Sequence, residues 1–243
     1  MIITTEPDMN RDRELLRLLQ LNGGTFPTGG FSQSWGLETY VAEGVVNDVD
    51  SFVEFLKVYL VSSIGKCEGP IIRRAYDLME LLRAACSEDA VSQLKDLEQL
   101  SNAVKVTKEC REAGLRMGRA FGRIMEPVLD SEALLPLREV FGGLNISYPV
   151  LYGCVCSVMG IDLEKALAAY VFSTANTLTQ SALKLIPLGN VEAQQVIFNM
   201  NDFMEEITCL CMETGIDDVS NFCPGIDIAS LRHEELPVRL YMS

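Results

Sequence analysis

The chain has 243 residues, of which 48% are hydrophobic, and this is enough to form one large core. Its 34 acidic side chains outnumber 20 basic ones, which gives a formal net charge of −14 at pH 7. Nucleic acids and anionic membrane surfaces bind mainly to lysine and arginine, so this balance argues against both. No run reaches the roughly 18–20 apolar residues of a membrane-spanning helix. The first residues also lack the pattern of a signal peptide, and we therefore expect a cytoplasmic protein.

Apolar residues recur at spacings of three and four along most of the chain, which is typical of amphipathic helices. In chain order, the predicted helices cover 13–21, 31–42, 52–60, 71–82, 87–100, 102–126, 130–141, 148–159, 163–186, 191–214 and 228–235. Asp48 or Asp50 is expected to cap the third helix and Asp162 the ninth. Gly69-Pro70 offers a stop and a restart before the fourth, and the fifth and sixth form either two helices or one kinked helix.

No segment shows the alternation typical of a strand for long enough to build a sheet, and no linker or repeat divides the chain. The sequence therefore predicts an all-α fold, a single-domain bundle of about nine or ten helices. The domain is expected to span 1–243, with a flexible N-terminus over 1–12.

Three glycines recur every four residues in the predicted helix 102–126 and so share one face, namely Gly114, Gly118 and Gly122. Each destabilises a helix interior by about 1 kcal/mol relative to alanine. A stripe of three predicts a groove in which another helix backbone comes close. The other faces carry Arg111, Arg116, Arg119 and Arg123. This helix either packs internally with a solvated basic edge or forms a docking surface on an acidic protein.

The chain contains a single histidine, His233, ten residues from its end. A helical hydrolase with a Ser-His-Asp or Cys-His site would have to use it. The tripeptide His233-Glu234-Glu235 does not match the zinc-protease motif H-E-x-x-H. No phosphate-binding G-x-x-x-x-G-K-[ST] loop occurs in the sequence. We therefore predict no catalytic residues and no nucleotide binding by this chain.

The eight cysteines are spread through predicted helices, and most are expected to be reduced, small, buried apolar residues. Cys154 and Cys156, like Cys209 and Cys211, are two residues apart, so the two thiols of a pair point to different sides of a helix. No stable metal site and no cofactor are predicted. Transient contact of a metal ion with Cys223 or with the histidine is the remaining possibility for metal binding.

Three segments stand out from this helical background: 26–38 (FPTGGFSQSWGLE), 183–195 (LKLIPLGNVEAQQ) and 232–243 (RHEELPVRLYMS). Proline and glycine set a tight turn in the first and a sharp break between helices in the second. The third places large apolar and cationic groups at a chain end, and such residues anchor interfaces. We expect 226–243 to be a partner-docking tail with an open end that orders on binding. The candidate partner-binding residues are Phe26, Pro27, Gly29, Ser34, Glu38, Tyr40, Lys184, Pro187, Gly189, Arg232, His233, Glu234, Arg239, Leu240, Tyr241 and Met242.

Purely structural explanations of two of these segments remain open. The segment 26–38 can be a simple helix-entry turn, and Lys184 can be a simple helix-capping charge. In the first segment, Ser34, Glu38 and Tyr40 are expected to present polar groups on the surface.

The three segments resemble those of the urease accessory protein F family (UreF). The first is similar to F-P-x-G-x-F-x-H-S-x-G-L-E, with Gln33 in place of the histidine. The second is similar to [RK]-L-I-P-L-G-Q…G-Q, with Ala193 in place of the later glycine. The third is similar to R-H-E-x-L-Y-x-R-L-[FY]-x-S, with Pro237 in place of an aromatic residue.

The resemblance implies an all-helical, non-enzymatic scaffold for urease maturation, usually a homodimer. Such a protein binds the accessory protein UreD/UreH, and the pair then recruits the GTPase UreG. The assembly acts on apo-urease so that nickel enters and the active-site lysine is carbamylated. The alternatives to this interpretation are a helical hydrolase and a helical adaptor unrelated to urease.

Overall fold

In a computed structural model of the chain, the described residues are 9–24, 26–85, 87–130 and 132–242. Of the predicted flexible N-terminus 1–12, residues 1–8 lie outside the described residues, and 9–12 form the first turn of a helix. Cys86 and the last residue, Ser243, also lie outside them.

The described residues form helices joined by short connections. The helices are α1 (Met9–Asn22), α2 (Leu37–Ala42), α3 (Val49–Tyr59), α4 (Gly69–Ala84), α5 (Glu88–Ala103), α6 (Lys108–Val128), α7 (Leu135–Phe141), α8 (Tyr148–Val158), α9 (Leu163–Leu185), α10 (Asn190–Asn199), α11 (Asn201–Glu213) and α12 (Pro224–Arg232). A π-helical segment, Leu60–Glu68, joins α3 to α4 without a break. Because these two helices are continuous, the described residues form eleven separate helical segments and no strand. The predicted all-α, single-domain bundle is thereby confirmed.

Several predicted boundaries are set by local side chains. Asp48 caps α3, because its Oδ1 accepts a hydrogen bond of 2.9 Å from the Ser51 amide. Asp162 caps α9 through the amide of Lys165 at 3.1 Å. The chain does not stop at Gly69-Pro70, where it changes from π to α geometry. Pro70 lies in the first turn of α4, where a missing amide hydrogen is tolerated best.

Two predicted helices are wrong in extent. The helix predicted over 31–42 is replaced by a 3₁₀ turn at 30–32 and by α2, because Trp35 (φ 53°) and Gly36 (φ 86°) have left-handed backbone that no helix accommodates. The helix predicted over 191–214 is interrupted at Met200, between Asn199 and Asn201, and asparagine has low helix propensity. The side chain of Met200 is buried in the core.

The core is built around α4, α8 and α9. All but two residues of α8 have less than a tenth of their surface exposed, and an added Cβ at its Gly153 would lie 2.3 Å from the Ile72 carbonyl oxygen of α4. Four of the seven described cysteines are buried, as predicted, whereas Cys209 is exposed. Burial raises the pKa of the Cys156 thiol to about 12, as expected for an inert core residue.

The glycine stripe on α6 packs closely against another part of the backbone, but that part is a loop and not a helix. An added Cβ at Gly118 would lie 1.9 Å from the carbonyl oxygen of Ile146, and one at Gly122 would lie 2.9 Å from Leu144 Cβ. The backbone that leads into α8 therefore fills the groove that was predicted for another helix. Gly114 differs, because its nearest neighbour is Lys105 Cε at 3.9 Å.

This contrast predicts opposite effects of the same substitution. Gly114→Ala should stabilise the protein by about 1 kcal/mol, because alanine is the better helix former and the site has room. Gly118→Ala should destabilise it by about 1–3 kcal/mol, because the methyl group displaces the loop backbone. Urea unfolding of both variants measures the difference. Equal effects would contradict the close packing of α6 against 144–147.

Candidate functional site

Two of the three segments singled out in the sequence, 26–38 and 232–243, meet at the carboxylate of Glu38, and the remaining one contacts the tail at Tyr241. This residue lies in the first turn of α2 and is 5% exposed. Its Oε2 lies 2.8 Å from His233 Nε2, and its two oxygens accept hydrogen bonds from the amides of Leu240 at 2.7 Å and Tyr241 at 3.2 Å. One buried carboxylate therefore holds the C-terminal tail against the N-terminal segment.

His233 connects this carboxylate to a second one. Its side chain is fully buried, and its Nδ1 lies 3.7 Å from Glu109 Oε2 in the first turn of α6. Burial raises the pKa of the Glu109 carboxyl, and the nearby His233 and Arg239 only partly offset that effect. The imidazole thus lies between α2 and α6, with each ring nitrogen facing a carboxylate.

The end of the tail contacts the other two segments. The Met242 amide donates a hydrogen bond of 2.8 Å to the Ser32 carbonyl oxygen in the first segment. The Tyr241 ring is 6% exposed, and Lys184 Nζ of the second segment lies 5.6 Å from its centroid, within cation–π distance. The prediction of an open tail is therefore wrong for the described residues, because the backbone of 240–242 is held by intramolecular bonds.

Along residues 237–242 of the tail, Tyr241 is the one residue that is buried. Val238, Leu240 and Met242 are 74%, 66% and 48% exposed, while Tyr241 points into the protein. Solvent-exposed apolar groups on a fixed backbone form a surface suited to a protein partner. Val238 was missed as a candidate, although its position two residues before Leu240 in an extended segment would have indicated it.

The left-handed backbone at Trp35 and Gly36 places Glu38 under the tail. An added Cβ at Gly36 would lie 3.3 Å from the Ile226 carbonyl oxygen, so glycine is needed both for its φ of +86° and for the close approach of α12. Thr39 Oγ1 then donates to the Ala229 carbonyl oxygen at 2.8 Å. These contacts fix α2 against α12 and thereby orient the carboxylate.

The remaining predicted residues separate into buried and exposed groups. Ser34 and Glu38 are buried, so the expectation that they present polar groups on the surface is wrong, and Phe26 packs on Phe121 with ring centroids 5.4 Å apart. Tyr40 is half-buried beside Gly225. The exposed candidates are Pro27, Gly29, Lys184, Pro187, Gly189, Arg232, Glu234, Arg239, Leu240 and Met242.

A buried ionic network that the sequence did not indicate lies beneath the first segment. Lys105 on the loop before α6 forms an ion pair with Glu68, whose Oε2 accepts a hydrogen bond of 2.7 Å from the Tyr170 hydroxyl. Lys105 Nζ also lies 5.7 Å from the centroid of the Trp35 ring. A cavity of about 60 Å³ adjoins Glu68, Tyr170 and the loop 23–35, and this is space for a few water molecules.

Within the described ranges, no group of three His, Cys, Asp or Glu side chains is arranged to hold a metal ion. Transient nickel contact at Cys223 or His233 stays a prediction; the thiol is half-buried and the imidazole is closed off by its two carboxylates. None of the described helices is long and apolar enough to cross a membrane.

The fold and the site define an all-helical protein in which the segment 26–38 is bound to the C-terminal tail through Glu38 and Ser32, while Lys184 lies against Tyr241 of the same tail. The family model described as UreF matches residues 46–201, which is more than half of the chain. The chain therefore belongs to the UreF family.

Similar proteins with the name Urease accessory protein UreF extend the match to nearly the whole chain. That of Bacillus sp. (strain TB-90) is 31% identical over 241 residues, which cover 97% of this chain and 100% of the relative. That of Ureaplasma urealyticum serovar 10 is 30% identical over 240 residues, covering 94% of this chain and 96% of the relative. That of Sporosarcina pasteurii is 30% identical over 209 residues, covering 85% and 100%.

The buried carboxylate should dominate the stability of this site. Glu38→Ala should destabilise the protein by about 3–5 kcal/mol, because it leaves a buried imidazole and two amides without their acceptor. Glu43→Ala is the matched control on the same helical segment; its carboxylate is exposed and pairs with Arg232 at 3.0 Å, so the loss should be below about 1 kcal/mol. Urea unfolding gives both values, and hydrogen exchange at the amides of residues 240 and 241 reports the tail. Similar losses in the two variants would contradict the role of Glu38.

Proposed function

We propose that this chain is a non-enzymatic urease accessory protein that acts as a scaffold for nickel insertion into apo-urease in the cytoplasm. In this role it binds UreD/UreH, and the pair recruits and regulates the GTPase UreG. The observation that carries the proposal is that the C-terminal tail contacts both of the other UreF-type segments, the first through Glu38 and the second through Lys184. Membership of the UreF family supplies the connection to urease.

The surroundings of the single histidine support a scaffold over a hydrolase. A catalytic histidine needs a nucleophile within hydrogen-bond reach and a path to substrate. His233 instead has no exposed surface, and its nitrogens face Glu38 and Glu109. Its position is explained by packing, because it holds α2, α6 and the C-terminal tail together.

Regulation of a GTPase by such a scaffold requires different affinities for its GTP and GDP states. The proposed contact surface combines Lys184 at the C-terminal end of α9 with the exposed tail side chains Val238, Leu240 and Met242. Because the tail backbone is already held by Glu38 and Ser32, a partner would meet an ordered surface. Nickel is cargo of the assembly in this proposal, and this chain carries no cofactor of its own.

Point substitutions test the tail more sharply than truncation does. Deleting the last dozen residues also removes His233 and Tyr241, which are buried, so loss of binding and loss of folding would coincide. Leu240→Ala/Met242→Ala removes only exposed side chains and leaves the backbone bonds to Glu38 intact. We expect it to weaken binding to UreD/UreH at least about tenfold, as loss of interface anchors does.

The measurement is co-elution of the purified chain with UreD/UreH on size exclusion, followed by the activity and nickel content of co-expressed urease. The control variant Leu81→Ala/Phe198→Ala removes exposed apolar groups of 52% and 74% exposure on α4 and α10 and should bind normally. Unchanged binding of the tail variant would refute the docking role of the tail. Fully active urease formed without this chain would refute the proposed function itself.

We further propose that the chain forms a homodimer through α1. Leu15, Leu16 and Leu19 are 55%, 67% and 61% exposed on the side of α1 opposite the buried Leu18 and Leu21. Such a strip of leucines on one helix face is suited to burial against a second copy.

Light scattering during size exclusion tests this interface. Leu16→Glu/Leu19→Glu should convert the dimer to a monomer, because burying two carboxylates at the interface strongly disfavours association. Phe198→Glu, on the exposed face of α10, is the control and should leave the dimer intact. A parent chain that is monomeric at micromolar concentration, or a leucine variant that stays dimeric, would contradict the proposal.

A further inference from the structure

The outward face of α6 carries a row of positive charge on a strongly acidic protein. Arg116, Arg119 and Arg123 are exposed and are spaced by three and four residues, so they lie along one line of the helix. With a rise of about 1.5 Å per residue, the row is roughly 10 Å long. No acidic residue occurs between positions 113 and 125, although the chain as a whole has a formal charge of −14.

Within the described part of the chain, these three arginines have no ion-pair partner of their own, and the hydrogen bond of Arg119 goes to Asn145 Oδ1 at 3.3 Å. Several other cations are compensated by neighbouring acids, for example Lys57 by Glu54, Arg83 by Glu80, Arg138 by Glu126 and Arg232 by Glu43. Exposed lysines such as Lys66 and Lys95 are also unpaired among the described residues, but they are isolated and do not form a row. The positive charge of the row is therefore available to another molecule.

The helix that bears the row is fixed in rotation. Its opposite face has Gly118 and Gly122 packed directly on the backbone of 144–147, which leaves no room for α6 to roll. Phe121 and Met125 on the same side are fully buried. The arginines are consequently held outward on a rigid element, and binding does not have to order the helix.

The row is continuous with the site at the tail. Arg116 lies seven residues, or two turns, after Glu109 and so on the same face of α6, and Glu109 Oε2 lies 3.7 Å from Nδ1 of His233 in the tail. The residue next to Arg116, Met117, contacts the first segment, because an added Cβ at Gly30 would lie 3.3 Å from Met117 Cε. A protein that covers the exposed tail side chains would extend over the arginine row as well.

We propose that this arginine row docks an acidic face of the protein partner that engages the tail, an inference that rests on the proposed function. Guanidinium groups form paired hydrogen bonds with carboxylates, and this fixes the angle of approach. Because the whole chain repels an acidic partner, only the orientation that presents the row is attractive, and the row therefore sets the register of the complex. A nucleic acid fits less well, since three charges are few against the repulsion of its many phosphates by this chain.

The test reverses two charges at the end of the row that is remote from Glu109. Arg119→Glu/Arg123→Glu is compared with Lys66→Glu/Lys95→Glu, which makes the same change in net charge at two other exposed sites. The association rate of each variant with immobilised UreD/UreH is measured at about 50 mM and about 500 mM salt, which span weak and strong screening. Labelled single-stranded DNA is the second probe.

We expect the arginine variant to associate about tenfold more slowly than the lysine control at low salt, and this difference should shrink at high salt. Equal rates for the two variants, with the parent binding normally, would overturn the inference and leave the proposed function standing. Failure of the parent and both variants to bind would refute the proposed function instead. DNA binding that only the arginine variant loses would also overturn the inference, because it assigns the row to nucleic acid.

Discussion

The arrangement of this surface depends on one buried carboxylate. Glu38 follows the left-handed turn at Trp35-Gly36, and it accepts hydrogen bonds from a histidine and from two amides of the chain end, about 200 residues further on. Since a buried charge without partners is strongly unfavourable, the segment around Glu38 and the tail each require the other. The segment 26–38 is thereby joined to the tail, and Tyr241 of the tail also lies within cation–π distance of Lys184 in the last turn of α9.

A buried polar cluster of this kind adds little net stability compared with well-packed apolar residues, so its value lies in specificity. The carboxylate accepts hydrogen bonds from backbone amides at 240 and 241, and these fix the register of the tail. That register is what turns Tyr241 inward and Leu240 outward. A tail that slipped by one residue would bury the wrong side chain and lose both amide bonds.

The sequence predicted local features well, because helix caps and turns depend on neighbouring residues. Asp162 and, with Asp50 as the alternative, Asp48 could be identified as helix caps from spacing alone. Prediction from the sequence failed where the structure depends on contacts between residues that are distant in the chain. The ion pair of Glu68 with Lys105 and the contact of His233 with Glu109 join residues on separate elements, and no periodicity in the chain indicates such pairs.

The same limit explains the errors at the candidate site. The exposure of the motif residues was not predictable from the sequence, because the burial of Glu38, for example, depends on the tail that folds over it. The left-handed conformation of Trp35 was hidden as well, since a bulky residue rarely adopts it and only the surrounding structure imposes it.

Helix α6 connects the core to this surface. Its glycine face is pressed against the loop before α8, its first turn places Glu109 beside His233, and its outer face carries the arginine row. Movement of α6 would therefore shift Glu109 relative to the imidazole and the row relative to the tail at the same time. A partner bound across both regions would sense the packing of α6 directly, and conversely its binding would hold α2, α6 and the tail in one fixed arrangement.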